Sequence, residues 1–234
     1  MTDRYRLHWA PDNASLVIRL ALEEMGVPFE TVLLDRTTQA QKSAKYLKIN
    51  PAGLIPALET PDGPIFETAA ILLWLADRNG KMAPAQNHPD RAAFLKYLIF
   101  TSNTLHGVAR MRFYPEQYVG TDTATHAKMR AHLQGEFRRH LNLLDAAYAA
   151  GDGGLGFYLS ILDIYVACIC RWCMLYPKNE TKDWCQISHW PHLHAMAQRL
   201  EACDSTRTAI CAEGLGHNPF TNPVYPTPPE GHVM

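Results

Sequence analysis

The sequence lacks the features that would assign it to a membrane, secreted or nucleic-acid-binding class. No apolar run of signal-peptide length lies near its start, and its most apolar stretch, YLSILDIYVACICRWCMLY, contains Asp163 and Arg171 and is too short to span a bilayer. Neither sign of charge is in excess, since 22 basic and 23 acidic residues give a formal net charge of -1. We therefore expect a cytoplasmic protein with no nucleic-acid or membrane partner.

Cysteine is absent from the first half of the chain. The six cysteines of the second half are Cys168, Cys170, Cys173, Cys185, Cys203 and Cys211. In a reducing cytoplasm these are expected to be free thiols. Cys168 and Cys170 of CICRWC would point to nearly opposite sides of a helix, and the histidines of HWPHLH lack an acidic partner, so no metal site is predicted.

What the sequence does contain is a regular alternation of strand and helix patterns in its first eighty residues. The order is β-α-β-α-β-β-α, with helix stops at Gly26 and Gly80 and a TPDG turn between the last two strands. KMAPAQNHPD has no periodicity and indicates a linker. We predict an α/β domain over 1–80, a linker over 81–89, an all-α domain over 90–214 and an extended proline-rich tail over 215–234.

The stretch LSILDIYV carries a strong local signal for the start of a buried helix. Ser160 can cap the helix, and Asp163 can reach back to the N–H of the capping residue. We interpret this pair as a capping box with a role in stability.

A proline interrupts the strand pattern in INPAGLIPALET. Pro56 has no N–H to give to a sheet, so it lies either in an ordinary trans bond at a strand start or in a cis bond at a bend. In the cis case Ile55 would turn its N–H and C=O outward, where an extended peptide can pair with them. The following FET motif opens a helix with Glu67 and Thr68. A helix N-terminus attracts a carboxylate and Glu67 attracts an ammonium, so together they suit an α-amino-acid head group.

Taken together, NPAGLIPALE, IFETAAILLWLADR, the linker and LSILDIYV resemble the glutathione S-transferase family, and they are most similar to its bacterial beta-type members. The resemblance implies a thioredoxin-like N-terminal domain, an all-α C-terminal domain and a homodimer with glutathione as co-substrate. It also implies that Ile55, before a cis Pro56, pairs with the cysteinyl backbone of glutathione, and that Glu67 and Thr68 bind its γ-glutamyl head.

The chain departs from the beta-type pattern where that pattern has a cysteine. The position is occupied by Ala14 and is followed by Ser15. Ser15 and Asn13 remain candidate donors to the glutathione sulfur, although Ser15 is also a plausible helix N-cap and Asn13 a plausible turn residue. His106 matches a histidine near the thiol in beta-type enzymes, or is a structural histidine.

The predicted activity is the transfer of glutathione to a small-molecule electrophile, in a detoxification role. The alternatives are a non-catalytic glutathione-binding protein of the same fold and a glutathione-dependent isomerase or etherase. The sequence does not identify the electrophile.

Overall fold

Residues 5–79 form a mixed sheet with helices packed against it. The computed structural model describes residues 5–233. The strands are β1 (Tyr5–Trp9), β2 (Phe29–Leu33), β3 (Ala57–Thr60) and β4 (Gly63–Phe66), and the helices are α1 (Ser15–Met25), α2 (Ala44–Leu47) and α3 (Thr68–Asn79).

The sheet has the strand order β2-β1-β3-β4. β1 pairs with β2 in parallel, with Leu7 opposite Thr31, and with β3 in antiparallel, with Leu7 opposite Leu58. The helices α1 and α3 end at Gly26 and Gly80, both in the left-handed region that glycine tolerates. The thioredoxin-like fold predicted for this half is confirmed.

The chain from Arg91 to Glu213 is mainly helical. Its helices are α4 (Arg91–Phe100), α5 (His106–Phe113), α6 (Glu116–Val119), α7 (Thr123–Ala150), α8 (Ile161–Leu175), α9 (Pro191–Glu201) and α10 (Asp204–Glu213). A π turn, Thr101–Leu105, joins α4 to α5. The predicted helical second half is confirmed, whereas the exact domain boundaries stay a prediction.

None of the helices within residues 5–233 is both long and apolar enough to cross a membrane. The most apolar of them, α8, lies instead in the centre of the helical half, with every one of its residues buried.

A capping box begins α8, as predicted. The Ser160 hydroxyl accepts from the N–H of Asp163, and the Asp163 carboxylate accepts from the N–H of Ser160 at 2.6 Å. The carboxylate also accepts from the Tyr148 hydroxyl of α7 at 2.5 Å, and burial raises the pKa of this Asp163 carboxyl. The cap therefore also ties α8 to α7.

Replacing Asp163 with alanine is expected to lower the free energy of unfolding by roughly 1–3 kcal/mol, because the cap is lost and the buried Tyr148 hydroxyl loses its acceptor. Denaturant unfolding measures the loss. The catalytic constants of the protein that remains folded should not change. A fall in turnover at unchanged stability would contradict this structural role.

The tail after α10 contains no helix but is firmly packed. Phe220 is fully buried, and the N–H groups of Phe220 and Thr221 donate to the Glu201 carboxylate at 2.8 Å. Further along, the backbone of Gly231 lies close to Leu33 and Pro11 of the sheet half. The tail thus runs from the helical half back to the sheet half.

Candidate functional site

A cavity of about 960 Å³ lies between the sheet and the helical half. The carboxyl ends of β1 and β2, the loop before β3 and the start of α3 line one side of it. Helices α5 and α6, the residues just before α5 and the end of α8 line the other. Of the residues predicted to form the site, Asn13, Ile55, Pro56, Glu67, Thr68 and His106 line this cavity.

The loop before β3 presents unpaired backbone to the cavity. The Ile55–Pro56 peptide bond is cis, as predicted. Pairing between β1 and β3 begins only at Ala57, so the N–H and C=O of Ile55 make no hydrogen bond within the described chain. The preceding carbonyl, of Leu54, accepts from the Tyr46 hydroxyl at 2.6 Å and from Asn50 Nδ2 at 2.7 Å. These two bonds hold the loop in place and leave the backbone of Ile55 available to a ligand.

Glu67 and Thr68 form the corner at which β4 turns into α3. Glu67 adopts φ 72° and ψ 115°, a backbone conformation that residues other than glycine rarely adopt. Thr68 is the buried first residue of the twelve-residue helix, and the Glu67 carbonyl accepts from the N–H of Ile71 at 2.9 Å. Backbone strain of this kind is concentrated at ligand sites. The corner brings a carboxylate, a hydroxyl and free helix N–H groups to one wall of the cavity.

Ser15 does not face the cavity, in contrast to its predicted role. Its side chain is fully buried, its hydroxyl donates to the Ala10 carbonyl at 3.1 Å and it accepts from the Ala10 N–H at 3.2 Å. The hydroxyl is therefore already engaged by the backbone and is not placed to donate to a sulfur in the cavity. Ser15 is not the N-cap of α1 either, because that position falls on Ala14 and no side chain caps it.

Asn13 occupies the position that remains for a donor. It lines the cavity, and its Oδ1 atom is buried without a hydrogen-bond partner in the described chain. A buried polar atom without a hydrogen-bond partner lowers stability by roughly 1–3 kcal/mol. The local structure alone therefore gives no reason for an amide at this position. The Nδ2 group of the same side chain carries two N–H donors and can donate to a ligand in the cavity.

A buried network that no sequence motif predicted lies directly behind this loop. Asp12, at φ 47°, accepts from Arg171 Nε at 2.9 Å, from Trp172 Nε1 at 3.0 Å and from the Tyr176 hydroxyl at 2.8 Å. Arg171 is fully buried. The position of Arg171 in the middle of the apolar helix α8 is the one sequence signal that indicated a buried acidic partner, because arginine is almost never fully buried unless paired.

The same network continues to α10. The Glu213 carboxylate is fully buried, accepts from the N–H of Asp12 at 2.9 Å and pairs with Arg19 Nε at 2.8 Å. Burial raises the pKa of Glu213 to about 7, with the Arg19 charge acting in the opposite direction. Through these bonds the Asp12–Ala14 loop is held by α1, α8 and α10 together.

His106 lines the cavity from the helical side, immediately after the π turn. Its Nδ1 lies 2.7 Å from the Tyr165 hydroxyl, and its ring is 5.8 Å from that of Trp172. Burial, assisted by the charge of Arg110, lowers the pKa of His106 to about 4. The ring is therefore neutral at neutral pH. If Tyr165 donates to Nδ1, then Nε2 carries the proton and is a neutral donor.

Aromatic side chains line the helical side of the cavity. Phe113, Tyr114, Tyr118 and Tyr176 are there, whereas Trp9 is buried in the core beneath Arg19 and lines no part of it. The cavity thus has a polar half around Ile55 and Glu67 and an aromatic half around Tyr114. Such an arrangement can hold a short zwitterionic peptide next to an apolar small molecule.

Comparison with known proteins is consistent with this geometry. Residues 5–77 match the family model of the glutathione S-transferase N-terminal domain. Over 219 residues the chain is 28% identical to glutathione S-transferase GST-4.5 of Xanthomonas campestris, an alignment that covers 90% of this chain and 99% of that protein.

Two solved structures share the fold over most of the chain. A sphingomonad glutathione S-transferase complexed with glutathione aligns with a TM-score of 0.72 at 28% identity, covering 90% of this chain and 100% of that one. The bacterial beta-class glutathione S-transferase of Sphingomonas chungbukensis aligns with a TM-score of 0.70 at 25% identity, covering 89% and 98%.

Proposed function

Since the chain belongs to the glutathione S-transferase family, we propose that it binds glutathione in this cavity and transfers it to a small electrophile. The observation that carries the proposal is the placement of a free backbone pair at Ile55 and of the Glu67–Thr68 corner on one wall. The first suits the cysteinyl backbone of the tripeptide, and the second suits the ammonium and carboxylate of its γ-glutamyl head.

The chemistry requires a thiolate. A free thiol has a pKa of about 8.5, so little of it is ionised at neutral pH. A hydrogen bond to a charged group contributes roughly 1.5–3 kcal/mol, and one pKa unit corresponds to about 1.36 kcal/mol. One donor at Asn13 would therefore lower the thiol pKa by about one to two units. The neutral ring of His106 offers a second donor from the opposite wall.

In the transfer step the thiol proton leaves to solvent and the sulfur lone pair attacks an electrophilic carbon. A carbon–sulfur bond forms, and the leaving group departs with the electron pair of its bond. Asn13 stabilises the sulfur anion before attack, whereas Ile55, Glu67 and Thr68 hold the peptide. The homodimer, the cytoplasmic location and the role in detoxification stay predictions from the family.

Glutathione binding without transfer is the second candidate. The observation in its favour is the engaged hydroxyl of Ser15 next to Ala14, which leaves the loop without a thiol or a free hydroxyl. An isomerase or etherase is a third outcome on the same site. Calorimetry with glutathione, followed by an assay with 1-chloro-2,4-dinitrobenzene, separates binding from transfer. Failure to bind glutathione at millimolar concentration would overturn the proposal as a whole.

The Glu67→Gln and Thr68→Ala substitutions are each expected to weaken glutathione binding about tenfold or more. The head group loses an ion pair in the first variant and a charge-assisted hydrogen bond in the second, each contributing roughly 1.5–3 kcal/mol. Isothermal titration calorimetry measures the change. Glu116→Gln, at an exposed carboxylate on the opposite wall, is the matched control and should bind normally. An unchanged affinity in both test variants would contradict the assignment.

A further inference from the structure

The aromatic half of the cavity contains basic side chains that have no acidic partner in the described part of the chain. Arg36, Arg110 and Lys178 line it, and within residues 5–233 none of them lies within 4.0 Å of a carboxylate oxygen. Their contacts are weak: Arg36 Nη2 lies 3.4 Å from the Tyr114 hydroxyl, and Arg110 Nη2 lies 3.4 Å from Gln117 Oε1. The Lys178 ammonium lies 5.5 Å from the ring centre of Tyr225.

The buried arginines outside the cavity, unlike Arg36 and Arg110, each have a carboxylate partner. The pairs are Arg19 with Glu213, Arg91 with Asp77, Arg112 with Glu180 and Arg171 with Asp12. The partly buried Arg36 and Arg110 thus differ from the other sheltered arginines in facing the cavity without a counter-ion. The described carboxylates of the cavity do not neutralise them, since Asp12 is paired with Arg171, and neither Glu67 nor Glu116 forms an ion pair with them within 4.0 Å.

Glutathione itself does not require all of these cations. Lys42 lies on the peptide side, where its ammonium donates to the Ala52 carbonyl at 3.3 Å, next to the Ile55 loop. This lysine is available to the second carboxylate of the tripeptide. Arg110 and Lys178 belong instead to the helical half, beside the aromatic rings.

The rings are arranged to take a flat apolar group. Phe113 contacts Tyr114 and Tyr176 edge to face, with centroids 6.4 Å apart in each pair, and Tyr176 contacts Tyr225 at 5.9 Å. Arg36 lies at the Tyr114 end of this row and Lys178 at the Tyr225 end. A ring packed against the row would have a cation near either edge.

We propose that the electrophile is an aromatic carboxylate, with its ring against Phe113 and Tyr176 and its anionic group paired with Arg110, supported by Arg36 or Lys178. The inference rests on the proposed function, because it assigns the second substrate of the same site. Arginine binds a carboxylate through two parallel hydrogen bonds, which would fix the orientation of the ring as well as its affinity.

The test compares a matched pair of electrophiles, 4-chloro-3-nitrobenzoate and the uncharged 4-chloro-3-nitrobenzamide, with saturating glutathione. The value of kcat/KM for each is divided by its uncatalysed second-order rate constant, which removes the difference in intrinsic reactivity. We expect the corrected kcat/KM of the benzoate to exceed that of the benzamide by about tenfold or more. This ratio of the two corrected values should fall as ionic strength rises. Arg110→Gln should reduce the ratio about tenfold. Lys128→Gln, at an exposed lysine outside the cavity, should leave it unchanged.

A second measurement separates this inference from the proposed function. Calorimetry with the unreactive pair 3-nitrobenzoate and 3-nitrobenzamide reports binding without turnover. Tighter binding of the benzoate than of the benzamide, lost in Arg110→Gln, supports the inference. If this is seen while neither chlorinated compound reacts, only the proposed transfer activity is contradicted. Equal binding of the two, or a loss of glutathione affinity in Arg110→Gln as large as the loss of benzoate affinity, would overturn it.

Discussion

Replacing Asn13 with alanine is expected to reduce turnover at neutral pH by about a hundredfold, within the range seen when one aimed donor is removed from a reacting anion. The affinity for glutathione should change little, because Ile55, Glu67 and Thr68 hold the peptide. The loss follows from the thiol pKa, which rises when the amide no longer stabilises the sulfur anion. The pH of half-maximal activity should therefore move upward.

The absorbance of the bound thiolate, recorded as a function of pH, measures this shift directly. Ser15→Ala is the matched control, two residues away at the first position of α1. It removes the hydrogen bonds to the backbone of Ala10 and should lower stability, but the folded fraction should keep the pKa of the bound thiol. If Ser15→Ala raises the thiol pKa and Asn13→Ala does not, the assignment is reversed. If neither does, His106 becomes the candidate donor.

The largest expected effect on stability comes from Arg171→Leu. Removing the guanidinium leaves the Asp12 carboxylate buried without its ion-pair partner, and it deprives the carbonyls of Leu215 and Pro219 of a donor. Breaking a buried pair in this way costs about 3–5 kcal/mol. For a chain of this size the melting temperature should fall by roughly 6–20 °C. Thermal unfolding followed by circular dichroism measures it.

Two further variants make this result specific. Arg139→Leu removes an exposed arginine paired with Glu136 three residues away, and should change stability by less than about 1 kcal/mol. The double variant Asp12→Asn, Arg171→Leu should recover part of the loss, because no uncompensated charge is left. A drop of less than about 2 °C in Arg171→Leu would show that the network is not important for stability.

Local signals in the sequence predicted most of the fold. Gly26 and Gly80 end α1 and α3 because glycine adopts the left-handed conformation without cost, and Ser160 with Asp163 starts α8 through bonds only three residues apart. The π turn before His106 was not predicted, because nothing in TSNTL distinguishes it from an ordinary helix. Its geometry depends on the helices packed around it.

The candidate site was predicted where a motif is contiguous, and less well where distant residues meet. Ile55 with Pro56 and Glu67 with Thr68 are short motifs, and the structure places them on one cavity. Ser15 was misjudged because its partner is the backbone of Ala10, which no side-chain pattern reveals. The Asp12–Arg171 pair spans 159 positions in the chain, and only the fold brings its members together.

The buried network around Asp12 limits how freely the two halves of this chain can be exchanged for those of a relative. Asp12 and Arg19 belong to the sheet half, whereas their ion-pair partners, Arg171 and Glu213, belong to the helical half. A chimaera that joined either half to a foreign counterpart would bury an acidic and a basic side chain without their partners across the boundary. The halves are therefore not interchangeable modules, and any recombination between them has to carry both ion pairs as a set.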